Sequence, residues 1–173
     1  ASSSSSYDNM MTISSGLTLH WKVDSTYWYG MLVYTDSAWV AIGPSNKGYM
    51  VGSDVIMGLP SDSTVYLYDL TAKTTGGIEK MSSQTALSSG AISQASSTTT
   101  MTFTVLLDQS SFDVSRSGSQ SFIWAYGTSN SLAYHKDRGA FSLDLTTCST
   151  STVTTDELST SVVLAHGALM LLA

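Results

Sequence analysis

The chain has 173 residues and a net charge of −6, and only 12% of its residues are charged. Its length suits one domain, which at this size needs neither a disulfide framework nor a structural metal for stability. The few cations exclude nucleic acid and anionic lipid as expected partners. The single cysteine, Cys148, excludes zinc or iron–sulfur sites built from several cysteines of this chain.

The first element in chain order is a polar, serine-rich lead-in over residues 1–15, which we expect to be disordered. Serine and threonine are abundant throughout the chain while charges are scarce, a composition that favours a secreted protein. From residue 16 onward, short stretches alternate apolar and polar residues, the pattern of half-buried strands. In the first of these, one face carries Leu17, Leu19, Trp21 and Val23.

The predicted strands are short and are separated by Gly, Ser, Asp and Asn clusters typical of turns. They are GLTLHWKVD (16–24), YWYGMLVY (27–34), AWVAIG (38–43), TVYLYDLT (64–71), TMTFTVLL (100–107), SFIWAYG (121–127) and AFSLDL (140–145). No stretch from residue 16 to 147 keeps a helical period for three turns. The pattern predicts an all-β fold over residues 16–148, an antiparallel immunoglobulin-like β-sandwich.

The composition changes after Cys148. Residues 149–161 are predicted to be a polar linker, and residues 162–173 are apolar except for His166 and Gly167. This final segment is shorter than the roughly 20 residues that span a bilayer, so we interpret it as the start of a truncated transmembrane helix. Two alternatives are an element that docks on the sandwich and a lipid-anchor tail.

Motifs of the common enzyme classes are absent from the sequence. There is no phosphate-binding GxxxxGK[ST], no GxGxxG, no GxSxG and no HExxH. The three histidines, His20, His135 and His166, are far apart in sequence, and His20 falls on the polar face of its predicted strand, where a solvent-facing role is expected. The sequence therefore indicates neither an ordinary hydrolase nor a multi-histidine metal enzyme, and no catalytic residue is predicted.

Two loops contain residues able to hold haem iron. In NKGYMVGSDVIMG (46–58), Met50 lies between Gly48 and Gly52, which allow the backbone to turn, and His135 lies in the loop NSLAYHKDRGAF. A thioether and an imidazole together make haem iron six-coordinate and favour the ferrous state, a combination that suits electron transfer. The alternatives are that Met50 is a core residue and that His135 is a solvated residue without a ligand role, and the sequence pattern alone excludes neither.

If these residues are ligands, we expect the haem pocket to be formed by loops at one end of the sandwich, because a porphyrin is too large for a packed inter-sheet core. Aromatic residues close in sequence are expected to wall the pocket, and two cations are expected to pair with the propionates. The candidates are Tyr49, Trp124, Tyr126 and Tyr134 for the walls, and Lys136 and Arg138 for the propionates.

A family resemblance gives these residues a more specific meaning. GLTLHWKVD, AWVAIGPSNKGYMVGSDVIMG, VYLYDL, FIWAYGTSNSLAYHKDRGAFSLDL and the closing HGALMLLA together resemble the DOMON domain of the DOMON–cytochrome b561 fusion proteins, from about residue 16 to the end. The architecture is also similar to the cytochrome domain of cellobiose dehydrogenase. Pro44 departs from the family pattern, since an aromatic or apolar residue is usual there, and is expected to reshape the loop before Met50.

The resemblance implies an extracytoplasmic β-sandwich that binds one non-covalent haem b, with Met50 and His135 as the axial ligands. It implies one-electron transfer in a protein whose transmembrane cytochrome b561-type domain is fed by ascorbate. The expected acceptors are ferric chelates, ascorbate radical or a protein, which makes the full-length protein a candidate ferric or monodehydroascorbate reductase. By the same resemblance His166 is a haem ligand only in a full-length protein.

The localisation implied is extracellular or membrane-tethered, with this domain on the extracytoplasmic side. Lys47, Lys136 and Arg138 are expected to form a basic rim that attracts small anionic partners. The alternative function is that of a β-sandwich module that binds a sugar or another small ligand without redox activity. A purely structural adhesion domain is a third reading.

Overall fold

The computed structural model describes residues 7–148 and 150–152, and within these it contains two antiparallel sheets. The strands are β1 (Asn9–Ser14), β2 (Leu17–Val23), β3 (Tyr27–Tyr34), β4 (Val40–Pro44), β5 (Ser53–Leu59), β6 (Thr64–Leu70), β7 (Ile78–Lys80), β8 (Leu87–Ala95), β9 (Thr98–Leu106), β10 (Gln120–Tyr126), β11 (Asp137–Leu143) and β12 (Thr150–Thr152). A short 3₁₀ turn, Thr75–Gly77, precedes β7.

A five-stranded sheet has the order β1-β2-β3-β9-β8, and a seven-stranded sheet has the order β12-β11-β10-β4-β5-β6-β7. The sheets face each other across a core of large aromatic and aliphatic side chains. Trp28 of the five-stranded sheet contacts Phe122 of the seven-stranded sheet at 5.5 Å between ring centroids. Tyr34 and Tyr126 also meet across the two sheets, with their rings stacked at 4.1 Å between centroids. The predicted β-sandwich is confirmed.

All seven predicted strands are present, with boundaries shifted by a few residues. Of the residues predicted to face inward in β2, Leu17, Leu19 and Trp21 are buried and Val23 is partly buried. Met101, Phe103 and Val105 of β9 are buried as well. Pro44 is the buried last residue of β4 and pairs with Phe122. In the part of the chain that the structure describes, no helix is long and apolar enough to cross a membrane.

The prediction of a disordered lead-in over residues 1–15 was wrong for β1. Residues 9–14 pair with β2 at the edge of the five-stranded sheet, in the register Asn9↔Trp21 to Ser14↔Leu17. The physical reason is that Met11 and Ile13 pack against the core on one face of the strand. Residues 1–6, most of the predicted linker and the apolar segment 162–173 with His166 lie outside the described residues.

Candidate functional site

The outer face of the seven-stranded sheet carries a second apolar cluster, separate from the inter-sheet core. Buried residues of this cluster include Trp39, Val55 and Met57. Successive side chains of a strand point to opposite faces, so the odd-numbered residues of β4, β5 and β10 face outward while their neighbours fill the core. Outward-facing apolar side chains that are nevertheless buried indicate a covered surface.

A cleft of about 640 Å³, counted together with the open solvent at its mouth, lies on this face. Its lining residues come from six strands (β4–β7, β10 and β11), from Trp39 just before β4, and from two loops, which we call the Met50 loop (residues 45–52) and the His135 loop (residues 127–136). They are Trp39, Ala41, Gly48, Met50, Val55, Met57, Leu70, Ile78, Ile123, Trp124, Ala125, His135, Arg138 and Gly139. The loops do border the site as expected, but the sheet face itself forms much of it, rather than the end of the sandwich.

The floor of the cleft is formed by small side chains in neighbouring strands. Ala125 of β10 pairs with Ala41 of β4, and Ala41 pairs with Met57 of β5. Alanine projects only a methyl group from the sheet, so the centre of the floor is low while Met57, Val55 and Ile123 stand around it. A sheet surface of this shape accepts a flat apolar molecule.

The backbone geometry of the Met50 loop explains why Met50 stands between two glycines. Gly48 and Gly52 have φ angles of +76° and +85°, the left-handed region that glycine adopts without steric cost. The backbone N–H of Ser53 donates to the Met50 carbonyl at 3.1 Å and closes a four-residue turn with Gly52 at its third position. The turn brings Met50, which is partly buried, to the wall of the cleft.

The His135 loop begins at Gly127, where β10 ends, and returns to the sheet at β11. The N–H of Lys136 donates to the Tyr126 carbonyl at 2.8 Å, which closes the base of the loop next to His135. Burial of the imidazole lowers the pKa of His135 below its ordinary value, and the nearby positive charge of Arg138 lowers it further. The neutral imidazole favoured in this way is the form that binds a metal.

Five of the residues predicted from the sequence border the cleft, namely Gly48, Met50, Trp124, His135 and Arg138. Trp124 also belongs to the inter-sheet core. Gly139 makes room for its indole, because a Cβ at that position would lie 2.7 Å from the Trp124 ring. Arg138 shares the outer face with Ala125, its partner across β10 and β11, and places a cation at the apolar wall.

The other four predicted residues do not border the cleft. Tyr126 faces the inter-sheet core, because it is an even-numbered residue of β10 like Phe122. The Tyr134 side chain is 71% exposed and its ring lies 4.3 Å from that of His135. Lys136 forms an exposed ion pair with Asp36 at 3.8 Å. Tyr49 contributes its carbonyl to the hydrogen bonds of the Met50 loop, accepting from Ser45 Oγ at 3.2 Å.

The lining residues that the sequence motifs did not predict are mostly the apolar residues of the cleft floor. The signal for them was present, since β4 and β5 read as nearly unbroken apolar runs, VAIGP and SDVIMGL, and are buried almost throughout. A continuous run indicates a strand that is covered on both faces. His20, by contrast, lies on the other sheet, where it pairs with Met31. It therefore does not contribute to the cleft.

A row of carboxylates crosses the seven-stranded sheet near the Met50 loop. Asp54 of β5 pairs with Asp69 of β6, which in turn pairs with Glu79 of β7. Burial, a hydrogen bond to Asp69 and the charge of Asp69 raise the pKa of Asp54 from 3.8 to about 7. Residues 7–148 and 150–152 contain no group of three His, Cys, Asp or Glu side chains placed to hold a metal ion.

The residues of the cleft fit a haem b. Their donor set combines one thioether and one imidazole, the pair of axial ligands found in electron-transfer haem proteins. The surrounding walls are apolar, as a macrocycle requires, and Arg138 offers a charge partner for a carboxylate at the edge. Met57, 2% exposed, supplies a second thioether in the floor, so its substitution is a natural control for Met50.

Comparisons with known proteins relate this fold to a family. The cytochrome b domain of pyranose dehydrogenase from Coprinopsis cinerea has a similar structure, with a TM-score of 0.56, 14% sequence identity, and coverage of 76% of this chain and 78% of that chain. The cytochrome domain of Myriococcum thermophilum cellobiose dehydrogenase gives a TM-score of 0.46 at 17% identity, covering 88% of this chain and 81% of that chain.

Among curated proteins, none matches this sequence. The model of the DOMON domain matches residues 13–127, from the end of β1 through β10 to the first residue of the His135 loop. The matched region contains β2 to β10 and the Met50 loop, and it ends before His135. The chain belongs to the DOMON domain family.

Proposed function

We propose that this chain is a one-electron transfer domain that holds a haem b non-covalently in the cleft, with Met50 and His135 as the axial ligands. The observation that carries the proposal is that these two residues, from loops far apart in the sequence, border the same apolar cleft. Binding is non-covalent because Cys148 is the one cysteine in the chain and no CxxCH motif exists.

A haem bound there supplies a ferrous–ferric couple for single electrons. The thioether of Met50 is a soft neutral donor that favours the ferrous state, and the imidazole of His135 completes the coordination. The apolar walls would exclude water from the ligands, and Arg138, which borders the cleft, would pair with a propionate. If Met50 and His135 hold a haem, its iron would have no open position for dioxygen, which suits electron transfer rather than oxygen chemistry.

Membership of the DOMON family and the structural similarity to a cytochrome b domain support this assignment. The proposal extends to a longer protein in which this domain stands on the extracytoplasmic side of a membrane and exchanges electrons with a cytochrome b561-type transmembrane domain fed by ascorbate. Its acceptors would be ferric chelates, ascorbate radical or a protein. Lys47 and Arg138 favour small anions near the cleft, although Asp36 offsets part of the charge of Lys136.

The alternative, a module that binds a sugar or another small ligand, has less support in the cleft. Sugars are recognised through many polar groups, whereas the lining consists almost entirely of apolar side chains, with His135 and Arg138 as the polar exceptions besides Trp39 and Trp124. The same experiment distinguishes the two functions, because a sugar-binding module has no visible absorption spectrum.

The test is the visible spectrum of the purified protein after haem is supplied. We expect a Soret band and the spectrum of low-spin, six-coordinate iron. Met50→His is expected to keep six-coordination and to lower the reduction potential, because a harder nitrogen ligand stabilises ferric iron. Met57→Leu is the matched control and is expected to leave ligation unchanged, since leucine conserves the volume of a floor residue.

The absence of a Soret band, or a five-coordinate spectrum in the wild-type protein, would contradict the proposal. If Met50→His leaves the potential as it was and Met57→Leu changes it, haem binding stands and the ligand assignment passes to Met57.

A further inference from the structure

Buried polar side chains are rare in this protein, and their positions are informative. Among the described residues, those buried to 5% exposure or less are Ser45, Ser53 and Thr99. Ser45 and Ser53 lie at the two ends of the Met50 loop, with their hydroxyl oxygens 2.7 Å apart. Burying a hydroxyl is unfavourable unless it is hydrogen-bonded, so its partners indicate what it does.

Ser45 uses its full hydrogen-bonding capacity inside the loop. Its Oγ accepts from the Gly48 N–H at 2.8 Å and from Ser53 Oγ, and it donates to the Tyr49 carbonyl at 3.2 Å. A serine hydroxyl has one donor and two acceptor positions, all of which are occupied here. The Ser45 backbone N–H donates to the Ser121 carbonyl at 2.9 Å, which ties the hydroxyl to the neighbouring strand β10.

Ser53 fixes the opposite side of the loop. Its Oγ contacts both Ser45 Oγ and the Tyr49 carbonyl, and its backbone N–H donates to the Met50 carbonyl. The N–H of Gly52 donates to the Leu70 carbonyl at 2.9 Å, which attaches the same side to β6. The backbone just before Met50 is therefore bonded to one buried pair of hydroxyls, and the backbone after it is bonded to the Met50 carbonyl and to β6.

We propose that the Ser45–Ser53 hydroxyl pair is a positioning device that holds the Met50 thioether against the bound iron; this inference rests on the proposed function. A thioether is a neutral, weak ligand that another ligand can displace from the iron. The less freedom the Met50 loop has without its bond to iron, the more strongly the thioether competes for that position. Serine oxygens at the base of the loop remove that freedom before the cofactor binds. Outer groups of this kind typically change metal affinity about 10–100-fold.

The test is competition by imidazole for the Met50 position in the ferric, haem-loaded protein, followed by the shift of the Soret band. Ser45→Ala and Ser53→Ala are each expected to tighten imidazole binding about 10–100-fold. Thr99→Val is the matched control. It removes the third buried hydroxyl, which donates to the Asp36 carbonyl and accepts from the Ala38 N–H and from Gln94 Nε2, all outside the Met50 loop. It is expected to bind imidazole like the wild type. Met50→Leu removes the thioether and gives the imidazole affinity expected when the Met50 position on the iron is open.

Hydrogen exchange in the haem-free protein gives a second readout. The Gly48 amide is expected to exchange faster in Ser45→Ala than in the wild type, and at the wild-type rate in Thr99→Val, because Ser45 Oγ is its acceptor. Should Ser45→Ala fail to fold, Ser53→Ala carries the imidazole experiment, since it leaves the Gly48–Ser45 bond in place.

The outcomes separate this inference from the proposed function. If Met50→Leu tightens imidazole binding while both serine variants behave like the wild type, the positioning role is wrong and the function stands. If the wild type binds no haem, or Met50→Leu binds imidazole no more tightly than the wild type, Met50 is not a ligand and the positioning inference is overturned together with that assignment. Equal tightening in Thr99→Val also overturns it, because the effect would then follow from general destabilisation.

Discussion

The two loops that border the cleft are held in place by different kinds of contact. In the Met50 loop the hydrogen bonds converge on a buried pair, Ser45 and Ser53, within the loop and at its end. In the His135 loop they run to distant parts of the chain. The Trp39 N–H donates to the Ser129 carbonyl at 3.0 Å, and Gln94 Nε2 donates to Asn130 Oδ1 at 2.7 Å.

The difference matches the chemistry of the two proposed ligands. Imidazole is a strong donor for haem iron and tolerates some freedom in its loop, whereas a thioether is weak and needs a preformed position. The Met50 loop is stabilised mainly by local bonds around Ser45 and Ser53, beside two backbone bonds to β10 and β6. The His135 loop takes its shape from the completed sandwich, because Trp39 and Gln94 come from different strands and connections. We therefore expect substitutions in the two loops to differ in their effects on haem binding and on the free energy of unfolding.

The largest expected effect is the loss of haem in His135→Ala. Removal of the stronger proposed ligand should weaken haem binding by more than the roughly 10–100-fold typical of residues outside the coordination sphere. The measurement is a haem titration followed by the Soret band. His20→Ala, on the other sheet, is the control and should bind haem normally. Equal retention of haem by both variants would show that His135 is not a ligand.

The second largest effect is expected for Gly127→Ala, which tests the anchoring of the His135 loop. A Cβ at residue 127 would lie 2.1 Å from Nε1 of Trp39, and that indole is 2% exposed and has little room to move. Overpacking of this kind costs about 1–3 kcal/mol. Urea denaturation should report the loss. The cost should largely disappear when Trp39→Leu is the background, and a cost that persists there would exclude the indole as its cause.

Gly52→Ala tests the Met50 loop in the opposite way. A Cβ at residue 52 would have no atom within 4 Å, so the cost arises from the φ angle of +85° alone. Left-handed backbone costs a residue with a Cβ about 1–2 kcal/mol, and asparagine tolerates it better. Thermal unfolding should place Gly52→Asn between the wild type and Gly52→Ala. If asparagine destabilises as much as alanine, the turn geometry is not the reason for the glycine.

The smallest expected effect is the pH dependence at Asp54, behind the Met50 loop. Its pKa is raised from 3.8 to about 7 by burial and by Asp69, so the native state holds a proton that the unfolded chain has released. The free energy of unfolding should therefore fall as the pH rises from about 4 to about 7. The side chain is partly exposed, which limits the size of the effect.

Asp54→Asn removes this dependence and should become more stable relative to the wild type across the same pH window. Urea midpoints measured from pH 4 to pH 8 check the expectation, with Asp113→Asn as an exposed control on another loop. Parallel curves for Asp54→Asn and the wild type would mean that Asp54 and Asp69 do not share a proton in the native state.

The amino-acid sequence by itself determined most of the sandwich. Alternation of apolar and polar residues identified β2, β3 and β9, because a side-chain period of two is a local property of a strand. It did not identify β8, whose sequence LSSGAISQA is mostly exposed at a sheet edge. Pairing with β9 holds that strand in place, and pairing is not a local property.

Only the tertiary structure decided the location of the cleft and the surroundings of its residues. Motifs placed Met50 and His135 in loops, yet the floor between them is made by Ala41 and Ala125, which become neighbours when β4 pairs with β10. Tyr126 and Trp124 both belong to the inter-sheet core, but only Trp124 also borders the cleft. Which face of a strand meets a cleft depends on how the sheets stack, and that information is spread over contacts between residues distant in the chain.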